Sequence, residues 1–355
     1  MRAETLQRFI DAQNNLVVQH SDFSLRALFD MATSQAIDLA PHYQRRDRWK
    51  PDKQSALIES FLLNVPVPPV YLSEDEFGKY SVIDGKQRLT AIRDFLAGEL
   101  RLTNLARFAD LEGAFYSDLP LPIQNALAVR PYIRVITLLK QTDPQLKYEV
   151  FLRLNTGGEK LLGQEIRNVA FSGPLNDLLF ELSEAPFLRR QMKIKGEGSP
   201  PYRRMEDVEH VLRFFTMAER WRTIGPQLSR EMDAYMQRFR AISPARCAHL
   251  KQLFQRSLDA CESIWGDKAF YKPQGNGWRG QFISPLFDAE MVAVSDMSAS
   301  EVAGAAKQRD VVLKRFVAAY KGDAFFAKSV TQSTNNPSSV TKRISTVAAV
   351  LRPHA

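Results

Sequence analysis

The sequence predicts an α+β protein in two parts, a small mixed α/β domain over residues 1–172 and an α-helical bundle domain with a basic surface over residues 173–355. Three observations carry this. The length of 355 residues suits two domains at roughly 100–200 residues each. The β-rich runs, Val70 to Ser73, Lys79 to Asp84 and Tyr132 to Leu139, all fall in the first part, interleaved with stretches of helical period. From about Gly163 onward apolar residues recur almost entirely at helical spacing.

Residues 1–40 read as mostly helical, with Phe23, Leu25, Leu28, Phe29 and Ala32 near one face behind a Ser21/Asp22 cap. Asp52 to Leu63 presents Leu57, Ile58, Phe61 and Leu62 as an apolar stripe, and Pro66, Pro68 and Pro69 end it. The next two runs, joined by an acidic turn containing Gly78, predict a hairpin or two adjacent strands, with Glu74, Asp75 and Glu76 solvated. Arg88 to Leu96 is helical in period and stops at Gly98. After the third strand, Asp143 and Pro144 make an N-cap and first turn of a helix ending near Leu152 to Gly158. Helices then follow near 163–171, 204–222, 226–241, 245–265, 299–320 and 338–351, with Tyr271 to Gln281 expected as a surface loop. Cys247, Cys261, Trp221, Trp265 and the Phe214-Phe215 pair fit helix-packing positions.

Composition narrows the function classes. Hydrophobic residues at 45% and charged residues at 25% exclude collagenous, coiled-coil and wholly disordered chains. No apolar run reaches the roughly 20 residues a membrane helix needs, and the opening MRAETLQRFIDAQ lacks a signal-peptide core, so a cytoplasmic protein with no membrane partner is expected. A single pair of cysteines makes neither a disulfide framework nor a four-ligand zinc site; zinc, haem and flavin are not expected. The five histidines are scattered singly, which argues against an HNH nuclease module, and no GxxxxGK[ST] loop occurs. Gly275 to Gly280 matches GxGxxG but follows a Pro-Gln loop rather than a strand, so it is not read as a dinucleotide site.

The net charge of +8 is concentrated. Between Phe187 and Arg256 there are 15 Lys or Arg against 7 Asp or Glu, and the rest of the chain balances. Within this segment Arg189, Arg190, Lys193, Lys195, Arg203 and Arg204 surround a Gly/Pro loop with Tyr202. Such clusters gain affinity for DNA by releasing counterions, with little sequence specificity. DNA is therefore the expected partner of these six residues, the alternative being a solvated helical face.

The sharpest motif is Ser81 to Ile92, where a β run ends in Asp84-Gly85, passes Lys86 and Gln87, and enters a helix at Arg88. A strand-to-helix corner aims backbone N–H groups and the positive end of the helix dipole outward and so favours an anion. Lys86 and Arg88 add full charge, and Asp84 could hold a divalent cation or orient a water. The same run also reads as a capped loop in which Asp84 holds the turn and Arg88 pairs with a nearby acid. Pro41 to Trp49 interleaves Tyr43 and Trp49 with Arg45, Arg46 and Arg48, a mixture that suits phosphates and stacked bases or, alternatively, a solvated turn. In Phe151 to Phe171, Asn155 and Gly157-Gly158 end one helix before a second begins near Leu162, with or without a ligand at the corner.

Taken in order, the YQR run with its tryptophan, the proline step, VIDGKQR before a hydrophobic helix, and FLRLNTGG resemble the N-terminal module of GmrSD-type modification-dependent restriction enzymes, over about Ser24 to Phe171. The closing Thr331 to Ile344 resembles the end of family members without extra domains. The family's recurrent DGQQR here reads DGKQR, with Lys86 in place of glutamine. The resemblance implies a ParB/sulfiredoxin-like fold that binds and hydrolyses a nucleoside triphosphate with Mg²⁺ or Mn²⁺. Asp84, Gln87 and Arg88 would be catalytic, with Asp84 on the metal. Tyr43, Gln44, Arg45, Gly85, Lys86 and Asn155 would line the nucleotide pocket. It further implies a defence protein acting on phage DNA, modified or not, beside a partner nuclease. A sensor that binds nucleotide without hydrolysis is the second possibility, one that Lys86 favours because a cation holds phosphate without positioning water. Direct metal-dependent nicking of DNA is a third. Nothing in the sequence fixes the oligomeric state.

Overall fold

The computed structural model describes residues 2–39, 49–154 and 162–352. It divides into two compact units, Met1–Ala170 and Phe171–Ala355.

In the first unit β1 (Val18–Ser24), β2 (Ile37–Asp38), β3 (Val70–Glu76), β4 (Lys79–Asp84) and β5 (Tyr132–Leu138) form a mixed sheet in the order β1-β5-β3-β4-β2. The hairpin β3–β4 is antiparallel, β5 runs parallel to β3, β1 antiparallel to β5, and β2 parallel to β4. The helices are α1 (Arg2–Asn15), α2 (Leu25–Thr33), α3 (Pro51–Leu62), α4 (Lys86–Leu96), α5 (Leu121–Val129), α6 (Pro144–Leu154) and α7 (Gly163–Ala170). Because strand side chains alternate, the sheet serves two cores. Val70, Leu72, Val82 and Val135 pack with Leu28 of α2, Ile58 and Phe61 of α3, and Ile92 and Phe95 of α4. Tyr71, Ile83 and Leu138 join Phe151 of α6 with Ile166 and Val169 of α7. Each fully buried Leu, Ile or Phe contributes about 1.5–3 kcal/mol, so this double burial pins the end of β4 from both faces.

Two expectations for this unit are corrected. The first 40 residues are mostly helical, as α1 and α2, but Phe23 is not part of a helical face: Val18–Ser24 is a strand and Phe23 lies in it. Its polar sequence has weak strand propensity, and pairing with β5 overrides that, helped by the cross-strand pair Asp22–Arg134 at 3.0 Å. The cap of α2 is accordingly Ser24, whose hydroxyl accepts the Ala27 N–H at 3.2 Å. Glu74 is buried rather than solvated, since β3 extends through it and its carboxylate accepts the Lys140 N–H at 3.2 Å. Another buried acid, Glu59 of α3, accepts the N–H groups of Ala106, Arg107 and Phe108, and these bonds, Arg107's first, hold it below the ordinary carboxylate range.

The second unit is helical: α8 (Pro174–Ser183), α9 (Pro186–Gln191), α10 (Pro200–Arg203), α11 (Glu206–Arg220), α12 (Leu228–Phe239), α13 (Pro244–Trp265), α14 (Ser284–Ser295), α15 (Ala299–Lys307), α16 (Arg309–Gly322), α17 (Ala324–Thr331) and α18 (Pro337–Leu351). α14 is its central helix, buried at every position from Leu286 to Ser295. That is why no amphipathic period announces it. The expected single helix 299–320 breaks at Gln308, which ends α15 and starts α16. The stretch expected as a loop near 271–281 carries a short ribbon, β6 (Lys272–Gln274) antiparallel to β7 (Gly277–Arg279). Cys261 is buried against Met291, while Cys247 is only partly covered; both are free thiols. Among the described residues no helix is long and apolar enough to cross a membrane.

Candidate functional site

The corner between β4 and α4 is built by one residue that only glycine can fill. Gly85 has φ +99°, and a Cβ there would meet Val70 Cγ2 at 2.8 Å. It lets the chain turn from strand into helix against β3, and it gives α4 no side-chain cap. Arg88, one turn into α4, lies buried under the corner. Its Nη2 donates to Asp84 Oδ2 at 2.8 Å, and its Nη1 donates to the carbonyls of Pro69, at 3.1 Å, and of Pro68. The pairing of Arg88 with a nearby acid, left open by the sequence, is realised, and the acid is Asp84 itself.

The two halves of that pair differ in exposure. The Arg88 side chain is 11% accessible and the Asp84 side chain 49%. The carboxylate therefore sits at the rim with its orientation set from below. Lys86 and Gln87 are half-buried beside it. Gln87 Oε1 accepts the Trp49 N–H at 3.0 Å, which joins the corner to the end of the aromatic and basic run just before α3. The Trp49 ring in turn lies under the Lys53 ammonium at 4.6 Å. Tyr43, Gln44, Arg45 and Asn155 lie outside the described residues.

α7 holds a group that sequence reasoning missed. Gln164, Glu165, Arg167 and Asn168 are all buried, although Ile166 and Val169 of the same helix already pack on Ile83, next to Asp84. Gln164 Nε2 donates to Asn168 Oδ1 at 2.8 Å, and Glu165 accepts the Leu162 N–H at 2.6 Å. Four polar residues in an eight-residue helix normally signal a solvated face. Their density directly after a Gly-Gly corner is the one feature of the sequence that could have drawn attention to them.

Residues 25–172 match the family described as the GmrSD restriction endonuclease, N-terminal domain. This part of the chain is a GmrSD N-terminal domain. No curated protein and no solved structure matches the chain. The GmrSD domain contains the whole corner together with α7 and ends where the helical unit begins. The six cations expected on DNA lie beyond it, and three of them stand in ion pairs within the unit. Arg189 pairs with Glu184, Arg190 with Glu262 at 2.5 Å, and Arg204 with Glu206 at 2.9 Å. Lys193 donates to the Gly280 carbonyl, while Lys195 and Arg203 are exposed. The local surplus of positive charge is also partly internal, since Arg213 is buried in an ion pair with Asp288.

Among the described residues no three His, Cys, Asp or Glu side chains converge as a metal site. Asp84 offers a single half-exposed carboxylate, a hard oxygen donor of the kind Mg²⁺ accepts alongside phosphate oxygens and water.

Proposed function

We propose that the GmrSD domain, with a ParB/sulfiredoxin-like fold, binds a nucleoside triphosphate at the corner Asp84 to Arg88 and hydrolyses it. The cycle serves a restriction-type defence in which the chain engages phage DNA and a partner nuclease cuts it. The observation that carries the reading is the half-exposed Asp84 carboxylate, fixed from beneath by Arg88 at the uncapped start of α4. The dipole of α4 and the ammonium of Lys86 would attract the phosphates. Asp84 would hold a divalent cation, which would supply neutralisation of charge on the phosphate oxygens. Gln87 and Trp49 would form the wall next to the Tyr43, Gln44 and Arg45 run. Arg88 is a positioning residue in this reading, because its donors already serve Asp84 and two carbonyls.

The purified full-length chain with Mg²⁺ is expected to release phosphate from a nucleoside triphosphate. Asp84→Ala is expected to abolish the release and leave the melting transition in place. Release that survives this substitution overturns the site. Tight nucleotide binding with no release, with or without DNA, selects the sensor that Lys86 favours.

A further inference from the structure

Two basic stretches of the helical unit, about 80 residues apart in the chain, form one surface. Tyr271 Oη donates to the Gln191 carbonyl at 3.2 Å, Gln191 Nε2 donates to the Ala269 carbonyl at 2.7 Å, and Lys193 Nζ donates to the Gly280 carbonyl. These bonds tie the segment after α9 to the β6–β7 ribbon. The joined stretches, 193–197 and 267–281, carry Lys193, Lys195, Lys268, Lys272 and Arg279 against Glu197 and Asp267.

The ribbon has an inside and an outside. Pro273 pairs with Trp278, Pro273 is buried, and the Trp278 ring stacks on buried Phe316 with centroids 5.8 Å apart and planes 17° from parallel. Lys268 covers the same indole at 5.9 Å. By the two-residue period of a strand, Lys272, Arg279 and Gln274 share the opposite face. Lys272 stands directly across from Arg279 in the register. Like charges in that position destabilise a strand pair, and among the described residues neither cation is in an ion pair. A three-residue strand pair clamped by one tryptophan and carrying facing cations is built for an external anion. The exposed Gln274-Gly275-Asn276-Gly277 tip projects beyond them.

We infer that the β6–β7 ribbon is the element that touches duplex DNA, with Lys272 and Arg279 on backbone phosphates and the tip at a groove. A two-stranded ribbon has the width of the major groove. The inference rests on the DNA engagement proposed above and names the surface responsible for it.

The test is fluorescence anisotropy of a short labelled duplex with the full chain across a salt titration. The double variant Lys272→Gln/Arg279→Gln is expected to bind about tenfold more weakly, with a salt slope shallower by about two. Its phosphate release without DNA should equal that of the wild type, which also reports that the protein is folded. The variant Lys272→Arg/Arg279→Lys should keep wild-type affinity. Unchanged affinity and slope in the double glutamine variant overturn the ribbon alone. A wild type that binds no duplex at all overturns the DNA engagement on which it rests. Equal wild-type affinity for polyglutamate overturns DNA as the partner in favour of an acidic protein.

Discussion

The two units each contain an aspartate held by arginine, and their settings are opposite. In the first, Arg88 is buried and Asp84 half open, so one charge of the pair faces solvent. In the second, Asp288 of α14 is fully buried between Arg213 of α11, at 2.5 and 3.1 Å, and Arg343 of α18, at 2.8 Å. Burial alone would raise the Asp288 pKa, yet the two guanidiniums hold it below the ordinary value. Taking charges out of water costs several kcal/mol per ion, which the mutual attraction returns only if every partner stays. The sealed cluster therefore locks three helices together and has no side left for a ligand. The half-open pair costs less to form, contributes less to stability, and leaves its carboxylate available. Residue type does not separate a structural ion pair from a chemical one; solvent access does.

The largest effect is expected at the sealed pair. Asp288→Ala leaves two buried guanidiniums uncompensated and should lower stability by about 3–5 kcal/mol, read by urea denaturation. Replacing the cluster as a whole, with Asp288→Leu, Arg213→Met and Arg343→Met, should recover most of that loss. If the triple variant is as unstable as the single one, the cluster is more than an ion lock. Gly85→Ala comes second. Its Cβ would strike Val70 and the residue would hold a positive φ, a combination expected to cost about 1–3 kcal/mol and to disturb phosphate release by tilting α4. At Gly98, also at positive φ but with open space around it, Ala should cost less and leave release intact.

Much of the corner was legible because its elements carry strong local signals. The helical stripe of Arg88 to Leu96, the alternation in Val70 to Ser73 and Lys79 to Asp84, and the Asp-Gly step each depend on residues close together in sequence. What was illegible depends on distant partners. β1 becomes a strand only because β5 lies beside it, and nothing in VQHSDFS announces that. α14 hides its period because it is apolar nearly all round, and its Asp288 and Glu290 look like surface charges until Arg213, Arg343 and the Phe270 N–H are brought to them. The polar residues of α7 escaped differently: the bonds they make with one another and with Leu162 are local and would suit a solvated face equally well, and only their burial sets them apart. The six-cation cluster was visible as charge, but the acids that neutralise half of it sit as far as 72 residues away in the chain.

A smaller stability effect is expected at the open pair. Asp84→Asn should change stability by no more than about 1 kcal/mol, since a half-exposed ion pair contributes little, while phosphate release is lost. A loss of stability as large as that of Asp288→Ala, with release retained, would reverse the contrast between the two sites.

The finest probe is Glu290, two residues from Asp288 on the same buried helix. One carboxylate oxygen accepts the Phe270 N–H at 3.0 Å and the other has no hydrogen-bond partner. Burial, with no arginine to offset it, pushes its pKa well above the ordinary value. A carboxyl raised in the folded state binds its proton more tightly there than in the unfolded chain. Stability from this group is thus complete below the unfolded pKa and declines as pH rises toward the folded one. Asp288 has the opposite sign: its contribution is complete above the ordinary carboxylate pKa and fades as pH falls through the depressed value. Glu290→Gln keeps the shape and cannot ionise, so its stability measured by urea titration should change little at acidic pH and decline less than wild type toward neutral pH. A variant whose curve runs parallel to the wild type throughout would mean that Glu290 ionises as freely inside the bundle as in water, and solvent access would lose its standing as what separates Asp84 from Asp288.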